Sequence, residues 1–236
     1  ALSAGRLGEA VRRAARRASP AQRAHSALTF SALAEPRGLA LHHHSVLFCR
    51  DYPAEFRAIE AGRLPEEPTV YLAAQDRAGD TAPGGPERVF GIINAPATGD
   101  IRTIPEEEIE RCLTSADRLM RACGLELGIL EETRTVTAPQ DFERLFPATG
   151  GSLYGRSPHG SMASFARPGA RSRIRGLYLC GGSVHPGAGV PMATLSGRLA
   201  ARTMISDRAS TSRSVRAAMP GGISTESATT APALSR

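Results

Sequence analysis

The chain has 236 residues, 41% of them hydrophobic, which is enough to bury the core of one large domain or two small ones and excludes a wholly disordered chain. The formal charge is +6, yet Arg supplies all of the positive charge and Lys is absent, a pattern that reads as GC-rich codon bias more than as a functional choice. No run approaches the roughly 20 apolar residues of a membrane-spanning helix.

Arg6, Arg12, Arg13, Arg16, Arg17 and Arg23 crowd the opening stretch against a single acid, Glu9. This reads as a solvated helix face; with no aromatic interleaved, nucleic-acid binding is not supported. The same stretch is Arg-rich, Ala-rich and acid-poor, as transit peptides are, while the first residue, Ala1, points to a fragment or a processed chain. Cys49, Cys112, Cys123 and Cys180 lack CxxC spacing and read as buried thiols, so neither a zinc site nor a disulfide framework is indicated.

Residues 5–33 read as helical, with Leu7, Val11, Ala14, Ala15 and Ala18 on one face and Pro20 breaking the pattern or starting a second helix. Residues 39–49 read as a strand and 53–61 as a short helix. Residues 69–74 and 88–95 read as neighbouring antiparallel strands across a loop of Gly, Pro and Asp. The clearest helix spans 103–123: Thr103 and Glu106 match a capping box, and Ile109, Cys112, Leu113, Ala116, Met120 and Cys123 recur at helical spacing before Gly124. A short strand over 133–137 and a helix over 139–146, with Phe142, Leu145 and Phe146 inward, follow. Residues 206–236 carry few large apolar side chains and are expected to be a disordered tail.

The run His42, His43, His44 invites a metal reading. Neighbouring side chains of a strand point to opposite faces, however, so three in a row cannot converge on one ion, and no metal site is expected.

The stretch GLYLCGGSVHPGAGVPMATLSGRLAARTM, residues 176–204, concentrates six glycines and two prolines. Residues 177–180 read as a strand buried on both faces, which suggests a parallel sheet. Gly181, Gly182, Gly187 and Gly189 permit positive φ or close approach by a ligand, and Pro191 suits a first helical turn. Ala193, Gly197 and Ala200 keep one helix face small while Leu195 and Leu199 fill the core. A helix N-terminus presented this way suits an anion or the negative end of a polarised ring. The spacing is neither a dinucleotide fingerprint nor a Walker loop, and a tight αβ connection would use glycines in the same way; both readings remain open on spacing alone.

The segment HGSMASFARPGARSRIRGLYLCGGSVHPGAGVPMATLSGRLAA, residues 159–201, resembles the C-terminal flavin-binding signature of the bacterial phytoene-desaturase family of carotenoid desaturases. LHHHSVLFCRDYPAEF, EPTVYLAAQDR, RVFGIINAPATGD and DFERLFPATGGSLYGR match in the same order. Together they are most similar to the hydroxycarotenoid 3,4-desaturases of that family, over about residues 25–205.

The resemblance implies an α/β protein: the C-terminal portion of a Rossmann-like FAD-binding fold with an α+β substrate domain, the N-terminal dinucleotide-binding unit missing. It divides the chain into a substrate-domain portion (1–147), an FAD-domain segment (148–205) and the tail. It implies an oxidoreductase that dehydrogenates an apolar hydroxycarotenoid polyene, inactive as this chain alone, in the bacterial cytoplasm and peripherally associated with the inner membrane. FAD is the implied cofactor, held by Gly181, Gly182, Ser183, His185, Gly187, Gly189, Val190, Pro191 and Met192. Ser183 stands where many flavoproteins of the wider fold carry an acid to the ribityl hydroxyls. His159 and His185 flank the signature and could assist proton removal or simply brace a loop; no catalytic side chain is assigned. Two rivals are an oxidoreductase related to flavin amine oxidases and a non-catalytic fragment or binding module.

Overall fold

The computed structural model describes residues 13–15, 18–77, 83–157 and 167–217; residues 1–12, His159 and the end of the tail lie outside these. The architecture is mixed, with a mainly antiparallel five-stranded sheet, order β3-β4-β5-β1-β7. Its strands are β1 (Ser26–Ala34), β3 (His44–Leu47), β4 (Val70–Ala74), β5 (Glu87–Ala95) and β7 (Thr135–Thr137). β2 (Arg37–Gly38) and β6 (Leu125–Glu126) form a separate two-stranded pair. The helices are α1 (Tyr52–Glu60), α2 (Glu106–Ala122), α3 (Pro139–Leu145) and α4 (Val190–Ala217).

The 88–95 strand and its antiparallel neighbour are as expected, in the register Leu72 opposite Gly91. So are the short strand before residue 137 and the helices near 53–61 and 106–122. α1 starts on Asp51, whose carboxylate accepts from the Ala54 amide at 2.9 Å. α2 buries Ile109, Cys112, Leu113, Ala116 and Met120. The Thr103 capping box does not form: Pro105 is the N-cap and contributes only its carbonyl, and Glu106, Glu107 and Glu108 in the first turn complement the helix dipole.

Other expectations are corrected. Residues 26–34 form not a second helix but β1, which lies between β5 and β7. Pro20 opens only a single 3-10 turn, Pro20–Gln22. Within 39–49 only His44–Leu47 is strand, since this edge strand has one neighbour and pairs only along four residues of β4. Leu145 and Phe146 are 56% and 63% exposed, because the end of α3 carries them clear of the core. Cys123 and Cys180 are exposed, leaving Cys49 and Cys112 as the buried thiols. α4 runs to Ala217, so residues 206–217 are helical where a tail was expected.

Strand parity divides the sheet into two unlike faces. Leu28, Phe30, Leu47, Val70, Leu72, Val89 and Ile93 belong to the core that α2 closes. The opposite face carries Val46, Tyr71, Ile92, Thr29 and Thr137 in one cross-strand row, and His44, Ala73, Phe90, Ser31 and Thr135 in the next. Val46 is 48% exposed, and Tyr71, Phe90 and Ile92 are half-buried.

On the core face the Phe30 ring occupies the place of a side chain at Gly91, where an added Cβ would lie 2.1 Å from the ring. Gly91→Ala must therefore push a buried ring off its rotamer. It should lower the unfolding free energy by about 1–3 kcal/mol in urea titration; an unchanged midpoint would show that the ring is not wedged there.

Candidate functional site

The segment leading to the glycine loop is not the buried parallel strand that the sequence suggests. Tyr178 makes one isolated antiparallel bridge with Arg171, and the Leu179 amide donates to the Ala170 carbonyl at 2.8 Å. Leu179 is buried, but Leu177 and Tyr178 are only half-buried. A parallel strand needs a ladder on its flanks, and among the described residues this bridge is all that forms.

Two side chains fix the loop. Ser196, fully buried on α4, accepts from the Gly181 amide at 2.7 Å and donates to the Ala193 carbonyl at 2.7 Å. Arg167, 8% exposed, donates to the carbonyls of Gly182 at 2.9 Å, Tyr154 at 3.0 Å and Arg156 at 2.8 Å. Burial, reinforced by the neighbouring Arg156 charge, pushes the Arg167 pKa down. No motif or spacing in the sequence marks Arg167 or Ser196 as a holder of this loop. The signal for Ser196 was a hydroxyl at mid-helix, a position where Ser usually competes with the backbone.

These contacts also locate the loop. Gly155 passes so close to Ser183 that a Cβ there would lie 2.7 Å from the Ser183 hydroxyl. Arg156 bridges Arg23, the Ala24 amide donates to the Gly155 carbonyl at 2.8 Å, and the Leu153 amide donates to the His25 carbonyl at 3.2 Å. The loop thus sits by the Ser26 end of β1, where the Arg23 guanidinium grips both Asp100 oxygens at 2.7 and 2.8 Å.

The expected contact residues share this one turn. Gly181, Gly187 and Gly189 have φ of 116°, 146° and 97°, in the region that favours glycine. Val190, Pro191 and Met192 form the exposed first turn of α4. An added Cβ at Gly181 or Gly189 would meet nothing within 4 Å, so the bend is open at those two positions, whereas Gly187 is buried against the Arg167 side chain and Gly182 lies against Ala188. The Gly181 amide is taken by Ser196 and the His185 amide donates to the Pro168 carbonyl at 2.9 Å. The amides of Gly182, Ser183, Gly187, Gly189, Val190 and Met192 have no hydrogen-bond partner among the described residues. Leu195, expected in the core, is 40% exposed, while Leu199 is half-buried. A charged cleft between α1 and α2, lined by Arg63, Arg102, Glu107 and Arg111, lies elsewhere and includes none of the loop residues.

His42, His43 and His44 are exposed; His44 Nδ1 lies 2.6 Å from the Tyr71 hydroxyl. Among the described residues no group of His, Cys, Asp and Glu could hold a metal ion, and no helix is long and apolar enough to cross a membrane.

No family model matches the chain. It is 49% identical over 232 residues to a hydroxyneurosporene desaturase of Rubrivivax gelatinosus, covering 98% of this chain and 44% of that protein. It is 44% identical to a hydroxyneurosporene desaturase of Cereibacter sphaeroides, over 90% of this chain and 42% of that protein. A 1-hydroxycarotenoid 3,4-desaturase of a Flavobacterium is 33% identical over 76% of this chain and 37% of its own length. The chain is thus a homologue of bacterial carotenoid desaturases, as the sequence motifs indicate. It spans less than half the length of these relatives.

Two changes test the loop. Ser196→Ala removes the partner of the Gly181 amide and should cost about 1–3 kcal/mol, read as faster hydrogen exchange at Gly181 and Val184. The second concerns Asp207, which accepts from Arg171 at 2.7 Å and from the Tyr178 hydroxyl at 2.9 Å, contacts that lower its pKa. A folded-state pKa below the unfolded one stabilises above the ordinary carboxylate range and is lost as pH falls through the folded value. Proteolysis at α4 should therefore speed up in wild type only below about pH 4, and in Asp207→Asn already at neutral pH.

Proposed function

We propose that the chain is the C-terminal portion of an FAD-dependent carotenoid desaturase, an oxidoreductase that dehydrogenates a hydroxycarotenoid polyene. In this reading residues 1–147 contribute to the substrate domain, and residues 148–205 close a Rossmann-like FAD domain. The observation that carries it is the bend at Gly181–Gly189, open at Gly181 and Gly189, which among the described residues leaves several amide hydrogens without partners at the exposed start of α4. The identity to hydroxyneurosporene desaturases over nearly the whole chain supports the same reading.

The residues fit a flavin. Gly181 and Gly189, where no atom stands within 4 Å of an added Cβ, would let a planar ring and its ribityl chain approach the backbone, and the N-terminal dipole of α4 favours negative charge there. Val190 and Met192 offer apolar contact, and Arg167 keeps the bend in place from behind. Ser183 supplies a hydroxyl and no carboxylate toward the ribityl chain. FAD, when bound, supplies the two-electron acceptor, so positioning matters more than a strong protein base. His185 stays a loop-bracing residue with no catalytic role assigned.

A long apolar substrate is delivered from a membrane, so we further propose peripheral attachment at the cytoplasmic face of a bacterial inner membrane.

Purified alone, the chain should show little flavin absorbance and no desaturation in a carotenoid-producing host lacking this step. Fused behind the N-terminal portion of the Rubrivivax gelatinosus relative, it should bind flavin and restore desaturation. Stoichiometric flavin on the lone chain, or an inactive fusion, would overturn the reading. Failure of the fusion to float with anionic liposomes would remove the membrane proposal alone.

A further inference from the structure

Four rings lie in a row across one end of the sheet, on the face opposite the core. Phe48 stands 5.7 Å from Tyr52, Tyr52 4.9 Å from Phe56, and Phe56 5.5 Å from His25, centroid to centroid. Strand parity places both ends of the row. Phe48, just past β3, is in step with Val46, which faces Tyr71, and His25, just before β1, is in step with Ala27 and Thr29. α1 carries the two middle rings one turn apart and is pinned at that end of β4 and β5: buried Glu55 accepts from the Thr69 amide at 3.0 Å and from the Asn94 side chain at 2.8 Å. Asn94 pairs with Ala27 and so belongs to the same face. β3 and β1 are three strand spacings apart, about 14 Å, so the row advances by about one ring for each strand.

The row is covered unevenly. Phe48 is 62% and Tyr52 43% exposed, whereas Phe56 and His25 are half-buried. Rings that served only to fill a core would be covered along the whole row; these open toward the β3 edge and close toward β1. The charges beside them are committed: Arg57 donates to Asp51 at 3.2 Å, Asp51 caps α1, and Glu55 is bonded beneath. Exposed Arg50 is the one charged side chain from 48 to 56 without such a bond among the described residues. The inner end of the row meets the support of the glycine loop. The His25 carbonyl accepts from the Leu153 amide at 3.2 Å, the Ala24 amide donates to the Gly155 carbonyl at 2.8 Å, and Gly155 lies against Ser183. Leu153 and Tyr154, both exposed, add apolar surface at that end.

We propose that this aromatic row is a seat for the far part of the apolar polyene, running from the β3 edge to the support of the glycine loop, a use that rests on the desaturase reading. A conjugated chain is extended, uncharged and flat, and a ring can meet it by face or by edge. Phe48 and Tyr52 cross at 73° and Tyr52 and Phe56 at 76°, so the row offers faces and edges in turn. Rings make no directional hydrogen bond to such a chain. It can be held across the row and still slide along it until the bond to be oxidised reaches the bend. Contacts remote from the reacting carbons hold ground state and transition state alike, so the row lowers KM and leaves kcat unaltered.

Two readouts test it. The chain has no Trp, so Phe48→Trp in the chain alone places a single fluorophore in the row, and a detergent-solubilised polyene should quench its emission saturably. Leu39→Trp is the control: Leu39 is also exposed but is tied to Gly124, just past α2, and its emission should need roughly tenfold more polyene for the same quenching. In the fusion described above, Phe48→Ser/Tyr52→Ser should raise KM for a full-length polyene roughly tenfold with kcat within about twofold. A polyene shortened at its far end by about 14 Å, the width of the row, should show the same KM in variant and wild type. The quenching comparison decides independently of whether the double variant folds. Equal quenching at both positions, or equal rises in KM for both polyenes, overturns the inference while leaving the desaturase reading intact. Loss of flotation with liposomes in the double variant at unchanged KM assigns the rings to the lipid surface and likewise overturns it. A wild-type fusion that acts on neither polyene overturns the desaturase reading, and the inference with it.

Discussion

The pairing of β1 with β5 on one side and β7 on the other decides which side chains the chain can offer to anything outside it. Its register turns Leu28 and Phe30 toward α2 and leaves Thr29 and Ser31 on the opposite face. A slip by one residue would exchange the two sets, placing a phenyl ring in the open and hydroxyls in the core. The register is held by more than backbone bonds. Phe30 can lie over the sheet only because Gly91 is opposite, so its ring and that glycine together specify the alignment of the two longest strands.

The second constraint is the coupling of the glycine loop to this sheet, and arginines carry it. Arg23 binds Asp100 through both terminal nitrogens and the Ala97 carbonyl at 2.9 Å, while Arg167 ties together the carbonyls of Gly182, Tyr154 and Arg156. A lysine ammonium is a single point from which to donate, whereas the guanidinium fork reaches several fixed acceptors at once. The absence of Lys was read as codon bias, and for exposed positions that reading suffices. At Arg23 and Arg167, both largely buried, the geometry of the fork is what the site requires.

How much of this was legible follows from how local each signal is. α2 was legible because its apolar positions repeat over seventeen residues, and one face of it meets the core. β1 was not: Ala, Leu and Ser favour no single state, and its first five residues are all buried, which erases the alternation that would mark a strand. The glycine loop stood out by composition, but the residues that hold it did not. Ser196 and Arg167 act across the fold, on partners up to fifteen residues distant, and no spacing rule points to them. The second face of the sheet was invisible for the same reason, since it exists only once five strands from separate stretches are in register. Residues 177–180 misled because an apolar run of that length fits a parallel strand and an extended linker equally well.

The distribution of exposed apolar groups is consistent with this division. The sheet and α2 enclose a continuous core that runs from Leu28 to Ala138, so this part has its own source of stability. Among the described residues the loop and α4 add no side chain to that core. Their attachments are directional: Ser196 to Gly181, Arg167 to three carbonyls, and Arg171 and Tyr178 to Asp207. Meanwhile Val190 is 81% exposed and Met192 43% exposed at the mouth of the bend. Directional bonds fix position well but supply little burial, so this region is placed by the sheet and left with apolar surface to cover. A ligand that brings an apolar face and a negative edge to the same turn would complete both deficits together.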